Sequence, residues 1–125
     1  MTRFKVLVVD DEPFICRSLC FVLRRENYEV FEARNGEDAL VAMREHRPDL
    51  VFLDVMMPKF NGFEVTQQIR ADETLKNTKI ILLTAKGQDA DRAIGVKAGA
   101  DDYMTKPFSP MKILERVRQV LGPVA

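Results

Sequence analysis

Phe4-Lys5-Val6-Leu7-Val8-Val9-Asp10-Asp11-Glu12-Pro13 is the stretch on which the fold turns. From Phe4 to Val9 the chain is apolar except at Lys5 and rich in β-branched residues. An unbroken apolar run of this length reads as a strand buried on both faces, since a strand with one wet face would alternate. Three acids follow, and then Pro13, which suits the first turn of a helix because its missing N–H has no intrahelical partner there. Ile15, Leu19, Val22 and Leu23 then recur at helical spacing. A buried strand therefore runs through an acidic turn straight into a helix.

The same unit repeats outward from this stretch. Tyr28 to Ala33 reads as a second strand. Asn35 can cap a second helix whose apolar face carries Ala39, Leu40 and Met43. Pro48 interrupts, and Leu50-Val51-Phe52-Leu53 reads as strand three. A third helix is predicted from near Phe63 to about Ala71, and Lys79 to Leu83 as strand four. Asp89 to Ala98 is a fourth helix stopped by Gly99. Asp102 to Thr105 is a short fifth strand. Ser109 and Pro110 open a fifth helix with Ile113, Leu114, Val117 and Leu121 as its stripe. Five strand–helix units with short links predict an α/β domain, a doubly wound (βα)5 parallel sheet with helices on both faces.

The 125 residues fit one domain, expected to span 1–125. Gly122 to Ala125 after the last helix is too short for an output domain. With 46% hydrophobic residues the chain can build a core, and no apolar run is long enough to span a membrane. The N-terminus lacks the apolar stretch and small-residue cleavage site of a signal peptide, so the expected compartment is the cytoplasm. Lys plus Arg number 19 and Asp plus Glu number 19, a balance with no general pull toward nucleic acid. The expected partners therefore include neither nucleic acid nor membrane.

In an open parallel sheet, ligands bind outside the carboxyl ends of the strands. Strand one ends in Asp10-Asp11-Glu12, strand three in Asp54, strand four in Thr84-Ala85 and strand five in Lys106-Pro107. A carboxylate at such a place can act as nucleophile and form an aspartyl phosphate. The incoming group carries spread negative charge and needs positive charge around it. Mg²⁺ supplies this when one or two carboxylates hold it, and Asp10, Asp11 and Asp54 are suitable ligands. Lys106 adds a point charge, Thr84 a hydroxyl donor and Ala85 a backbone N–H. A lone Asp after a strand is an ordinary turn or cap residue, and Asp11 or Glu12 could simply cap the first helix. Matched chemistry on four strand ends is much harder to reach by accident.

These motifs together resemble the receiver domain of response regulators, the CheY-like family of two-component signalling. Val8-Val9-Asp10-Asp11-Glu12 resembles its acidic motif, and Leu53-Asp54-Val55-Met56-Met57-Pro58 with Gly62 its phosphorylation loop. Leu83-Thr84-Ala85 resembles its switch-hydroxyl motif, and Tyr103 with Lys106-Pro107-Phe108 its aromatic-switch and lysine motif. The match spans essentially the whole chain.

The resemblance implies a flavodoxin-like sheet of strand order 2-1-3-4-5 and a cis Lys106-Pro107 bond. It implies that Asp54 accepts the phosphoryl group, while Asp10, Asp11, Asp54 and the backbone carbonyl of Met56 hold Mg²⁺. Thr84 and Lys106 would contact the phosphoryl group, and Tyr103 would change rotamer. The implied protein is a signalling switch, catalysing only its own phosphorylation and dephosphorylation. Its donor would be a sensor histidine kinase or a histidine phosphotransfer protein. A downstream protein or a second copy would dock on the face of helix four, strand five and helix five.

Two alternatives are weaker. A Mg²⁺-dependent phosphatase with an aspartyl nucleophile would want an acid two residues on, where Met56 stands and cannot move a proton. A receiver-like docking module that is never phosphorylated would not need the full set of acids, Thr84 and Lys106.

Other residues invite smaller expectations. Cys16 and Cys20, four apart on a helix, lie about 5–6 Å apart at Cβ, too far for a disulfide; they read as small apolar core residues. His46 falls in the last turn of helix two, at the opposite end of strand three from Asp54, and reads as an exposed helix-end residue. The Arg24-Arg25 pair reads as a solvated face or an ion-pair partner. Gly95 inside helix four reads as a weak point in a moving helix or as close packing against a neighbour. Met56 and Lys86, two residues beyond Asp54 and Thr84, should flank the path of an attacking water. Neither can orient that water as a base, so slow loss of phosphate is expected.

Overall fold

The structure is a computed structural model that describes residues 3–57, 60–85 and 89–122, with only the backbone described at 89–92. The strands are β1 (Lys5–Val9), β2 (Glu29–Ala33), β3 (Leu50–Asp54), β4 (Lys79–Thr84) and β5 (Asp102–Thr105). The helices are α1 (Pro13–Arg25), α2 (Gly36–His46), α3 (Gly62–Ala71), α4 (Asp89–Ala98) and α5 (Pro110–Leu121). All strand pairs are parallel and the sheet order is β2-β1-β3-β4-β5, as the resemblance implied.

The apolar runs work as two-sided strands. Val6, Val8, Leu50, Phe52, Ile81 and Leu83 face one layer, built from α1 and α5. Leu7, Val9, Val51, Leu53, Ile80 and Leu82 face the other, against α2 and α3. The period of two sends neighbours to opposite faces, and helices on both sides bury them all. On α1 the buried residues are Cys16, Leu19, Cys20 and Leu23; Ile15 is partly buried. The stripe is thus turned slightly from the one expected, because Cys packs as a small hydrophobe.

Caps set where the helices start. Asn35 accepts from the Asp38 N–H at 2.8 Å and Ser109 from the Lys112 N–H at 3.2 Å. Asn61 and Glu64 form a reciprocal capping box, with bonds of 2.9 and 3.0 Å, that starts α3 one residue earlier than predicted. Glu12 takes the N-cap position of α1 but makes no capping bond; its own N–H instead donates to Asp10 Oδ1 at 2.9 Å.

Gly95 is buried, and a Cβ there would lie 2.6 Å from Leu82 Cδ1, so close packing of α4 on β4 is its reason. Gly62 is more constrained, since a Cβ would meet the Asp54 carbonyl oxygen at 2.7 Å and Val55 Cα at 3.0 Å. Backbone cannot swing aside as a side-chain tip can. Gly62→Ala is therefore expected to destabilise by about 1–3 kcal/mol in urea unfolding, the range for overpacking, and to displace the loop after Asp54. Unchanged stability would mean that α3 does not seat this closely.

Candidate functional site

The sheet register brings the carboxyl ends of four strands together. Asp54 pairs with Leu83 and Thr84 with Thr105. The ends are stitched by backbone bonds: Asp10 N–H to the Ala33 carbonyl at 3.2 Å, Val55 N–H to Leu83 at 3.0 Å, and Lys106 N–H to Thr84 at 2.7 Å. The Lys106-Pro107 bond is cis.

Asp10, Asp54 and Thr84 are buried, at 0%, 6% and 2% exposure. Lys106 Nζ lies 2.8 Å from Asp10 Oδ2 and 3.5 Å from Asp54 Oδ2. The Met56 N–H donates to Asp54 Oδ1 at 3.3 Å. Asp11 is exposed, yet Asp10, Asp11 and Asp54 each bring a carboxylate oxygen within 4.8 Å of the others.

This crowding has an electrostatic consequence. Burial, and next the charge of Asp10, push the Asp54 carboxyl up to about 7, while Lys106 pulls it back. For Lys106 burial alone favours the neutral amine, but Asp10 and Asp54 outweigh it and hold the ammonium above its ordinary range. Three acids against one ammonium leave a surplus of negative charge. Hard carboxylate oxygens in that state suit Mg²⁺. Thr84 Oγ1 is buried and, among the described residues, has no hydrogen-bond partner. A buried hydroxyl in that condition is unfavourable by about 1–3 kcal/mol, and an anionic group above Asp54 would satisfy it. The residues present fit both the metal and the phosphoryl group.

Tyr103 is partly buried and packs on the α2–α3 side of the sheet. With Leu82, Gly95 and Val96 it lines a small cavity of about 100 Å³ between α4 and β5. The Met56 side chain is exposed, at 74%. Pro58 and Lys86 lie outside the described residues, as does the side chain of Asp89 at the start of α4.

His46 ends α2 at the far edge of the sheet, where its carbonyl accepts from Lys5 Nζ. It is not simply exposed, because its ring stacks on Phe31 with centroids 3.8 Å apart. A five-residue strand, about 17–20 Å, separates that edge from Asp54. Arg24 does find an ion-pair partner, Glu32 at 3.8 Å.

Sequence reasoning missed Arg70. Its guanidinium donates to the carbonyls of Gly99 at 2.8 Å, Lys76 and Thr78 at 2.7 Å each, and to Asp101 Oδ2 at 2.8 Å. One side chain thereby ties α3 to the end of α4 and the start of β5. A lone Arg in the last turn of a helix carries no sequence signal of such a clasp.

A (βα)5 sheet with three acids, a hydroxyl and an ammonium at its carboxyl edge defines the receiver class of signalling domain. The chain matches the response regulator receiver domain family over residues 6–118 and belongs to it. It is 50% identical over 117 residues to the transcriptional regulatory protein ResD of Bacillus subtilis, covering 94% of this chain and 48% of ResD. It is 45% identical over 116 residues to the DNA-binding response regulator MtrA of Mycolicibacterium smegmatis, covering 93% and 50%. A putative response regulator from Chloroflexus aurantiacus superposes with a TM-score of 0.92 at 34% identity, over 98% of this chain and 100% of that one.

The chain spans about half the length of the curated relatives it matches. Those relatives correct one expectation, that nucleic acid is not a partner. One is named as DNA-binding and another as a transcriptional regulator. The zero net charge belongs to this chain, which matches only about half of those relatives, and it has no bearing on what the other half of a relative touches. No helix among the described residues is long and apolar enough to cross a membrane.

Proposed function

We propose that this domain accepts a phosphoryl group on Asp54 from a histidine phosphodonor and relays it as a change of surface. The observation that carries this reading is the contact of Asp54 with Lys106 at the strand ends, where the buried Thr84 hydroxyl has no hydrogen-bond partner among the described residues, in a chain of this family. The Asp54 carboxylate would attack the phosphorus while the bond to the donor nitrogen breaks. Lys106 would hold a phosphoryl oxygen as negative charge spreads over it. Thr84 and the Ala85 N–H would donate to others. Mg²⁺ held by Asp10, Asp11, Asp54 and the Met56 carbonyl would neutralise charge on the transferring group.

Drawing Thr84 inward would release Tyr103 to turn toward the space beside Leu82 and Gly95. The face of α4, β5 and α5, where Arg116 pairs with Asp102, would then alter for a downstream partner or a second copy. The relatives named for transcription and DNA binding support an output of that kind in a longer regulator. Amide-shift mapping with beryllofluoride, a phosphoryl mimic, tests the relay. Shifts are expected through residues 84–106 as well as around Asp54; shifts confined to the Asp54 loop would contradict it.

Millimolar Mg²⁺ is expected to raise the melting temperature by several degrees, through ligand linkage and relief of the carboxylate repulsion. Asp11→Ala should shrink that shift, and Asp11 is the safe variant because it is exposed. A melting curve indifferent to Mg²⁺ would count against the metal.

Phosphate loss is expected to be slow, since Met56 offers an attacking water no useful hydrogen bond. Met56→Asn with Lys86→Glu should speed decay, each tenfold corresponding to about 1.4 kcal/mol of barrier. Equal lifetimes by intact-mass measurement would dismiss the idea.

A further inference from the structure

Between α1 and β2, two thiols and a carboxylate converge. Cys16 and Cys20 project from one face of α1, buried at 0% and 1% exposure. Glu32 comes from the adjacent edge strand β2. Their ligand atoms lie within 4.8 Å of one another. Cys16 Sγ is 3.3 Å from Glu32 Oε1. We propose that Cys16, Cys20 and Glu32 form a second metal site, for a thiophilic divalent cation of the Zn²⁺ or Cd²⁺ class, distinct from the hard-oxygen site around Asp54.

Geometry is the first argument. Zn–S and Zn–O bonds of about 2.3 and 2.0 Å in a tetrahedron put ligand sulfur and oxygen about 3.5 Å apart. The sulfur–oxygen separation here is already close to that, and helical i, i+4 spacing keeps the second sulfur on the same side. A disulfide, which wants sulfurs at bonding distance, is ill served by that spacing, whereas an ion bridging the two is well served.

Charge is the second argument. Two thiolates and one carboxylate around a divalent cation leave one negative charge. Arg24 and Arg34 stand 3.8 and 3.9 Å from Glu32 and would offset it from outside the ligand shell. Without the ion they hold Glu32 in place beside the sulfurs. Access is the third: a surface depression lined by Arg17, Cys20, Phe21 and Glu32 reaches two of the three ligand residues. Softness separates the two sites, because thiolates select Zn²⁺ or Cd²⁺ and carboxylates alone suit Mg²⁺. Binding would release the thiol protons to solvent and pin α1 to β2.

Co²⁺ titration of the reduced chain is the test. Thiolate-bound cobalt absorbs in the near ultraviolet, and cobalt held by the Asp54 acids does not. The expected result is such a band saturating at one equivalent, erased by excess Zn²⁺ and untouched by Mg²⁺. Cys16→Ser and Cys20→Ala should abolish it. Glu32→Gln, at an exposed position and with a melting curve as the folding control, should weaken Co²⁺ binding by about tenfold or more, given that even outer partners of metal ligands are worth about 10–100-fold. No band from folded wild type would overturn the site. A band indifferent to Glu32→Gln would overturn the three-ligand assignment.

Discussion

Wild-type protein incubated with Mg²⁺ and acetyl phosphate is expected to gain one phosphoryl group, and Asp54→Asn none. Asp54 is the acid best sited for this, because it is buried, lies 3.5 Å from an ammonium and ends the strand next to that of Thr84, whose buried hydroxyl has no hydrogen-bond partner among the described residues. Asp10 is ion-paired with Lys106 at 2.8 Å and also accepts the Glu12 N–H. Its carboxylate is committed to holding the site together. Asparagine keeps the shape of Asp54 but removes the nucleophilic oxygen anion, so the expected loss is complete. Thr84→Ala, which deletes one donor aimed at developing charge, should slow uptake; removing such a donor elsewhere is worth about 10²–10³-fold. Intact-mass measurement reads both, with melting curves as the folding control. Equal uptake by Asp54→Asn and wild type would move the acceptor elsewhere.

The second large effect runs the opposite way. In metal-free buffer at pH 8, Asp54→Asn is expected to melt well above wild type. The sign follows from the Asp54 carboxyl, which burial and Asp10 push from 3.8 to about 7 in the folded protein. Between those values the folded chain holds a proton that the unfolded chain has lost. Stability from this group therefore falls as pH rises from about 4 through 7, and its full penalty is present above 7. Three pH units correspond to about 4 kcal/mol as an upper bound, and partial hydration reduces that to about 1–3 kcal/mol. For a domain of this size each kcal/mol is worth about 4 °C.

At pH 4 the advantage of asparagine should largely vanish, and at pH 8 saturating Mg²⁺ should narrow it by stabilising wild type. An advantage that does not depend on pH would mean that Asp54 is not the strained acid. The same comparison separates charge from packing, since Asn and Asp fill nearly equal volumes.

These two effects together describe a site kept ready at the expense of stability. The acids repel one another, and positive charge brought by a metal would relieve them. Arg70, far from the chemistry, braces the α3–α4–β5 corner by bonds to three carbonyls and Asp101. A surface change of the proposed kind on part of that face would need the rest of it held.

Much of this could be read from the sequence, and the reason is local. Strand and helix periods, Pro13 at a helix start, Asn35 and Ser109 as caps and Gly99 as a stop are properties of a few neighbouring residues. They sufficed for element order and for the acids, hydroxyl and lysine at the strand ends. The capping box Asn61…Glu64 was equally local and was overlooked, which moved the start of α3 by one residue.

Tertiary structure alone decided the rest. Lys106 meets Asp10 across 96 residues of chain, and Gly95 is needed because Leu82 presses on it. His46 stacks on Phe31, Arg70 reaches Gly99, and Glu32 comes to Cys16 only where β2 lies beside α1. Each is a distance of a few ångströms between residues far apart in sequence. Such distances depend on the summed twist of the sheet and the seating of every helix on it, and no local pattern encodes that sum.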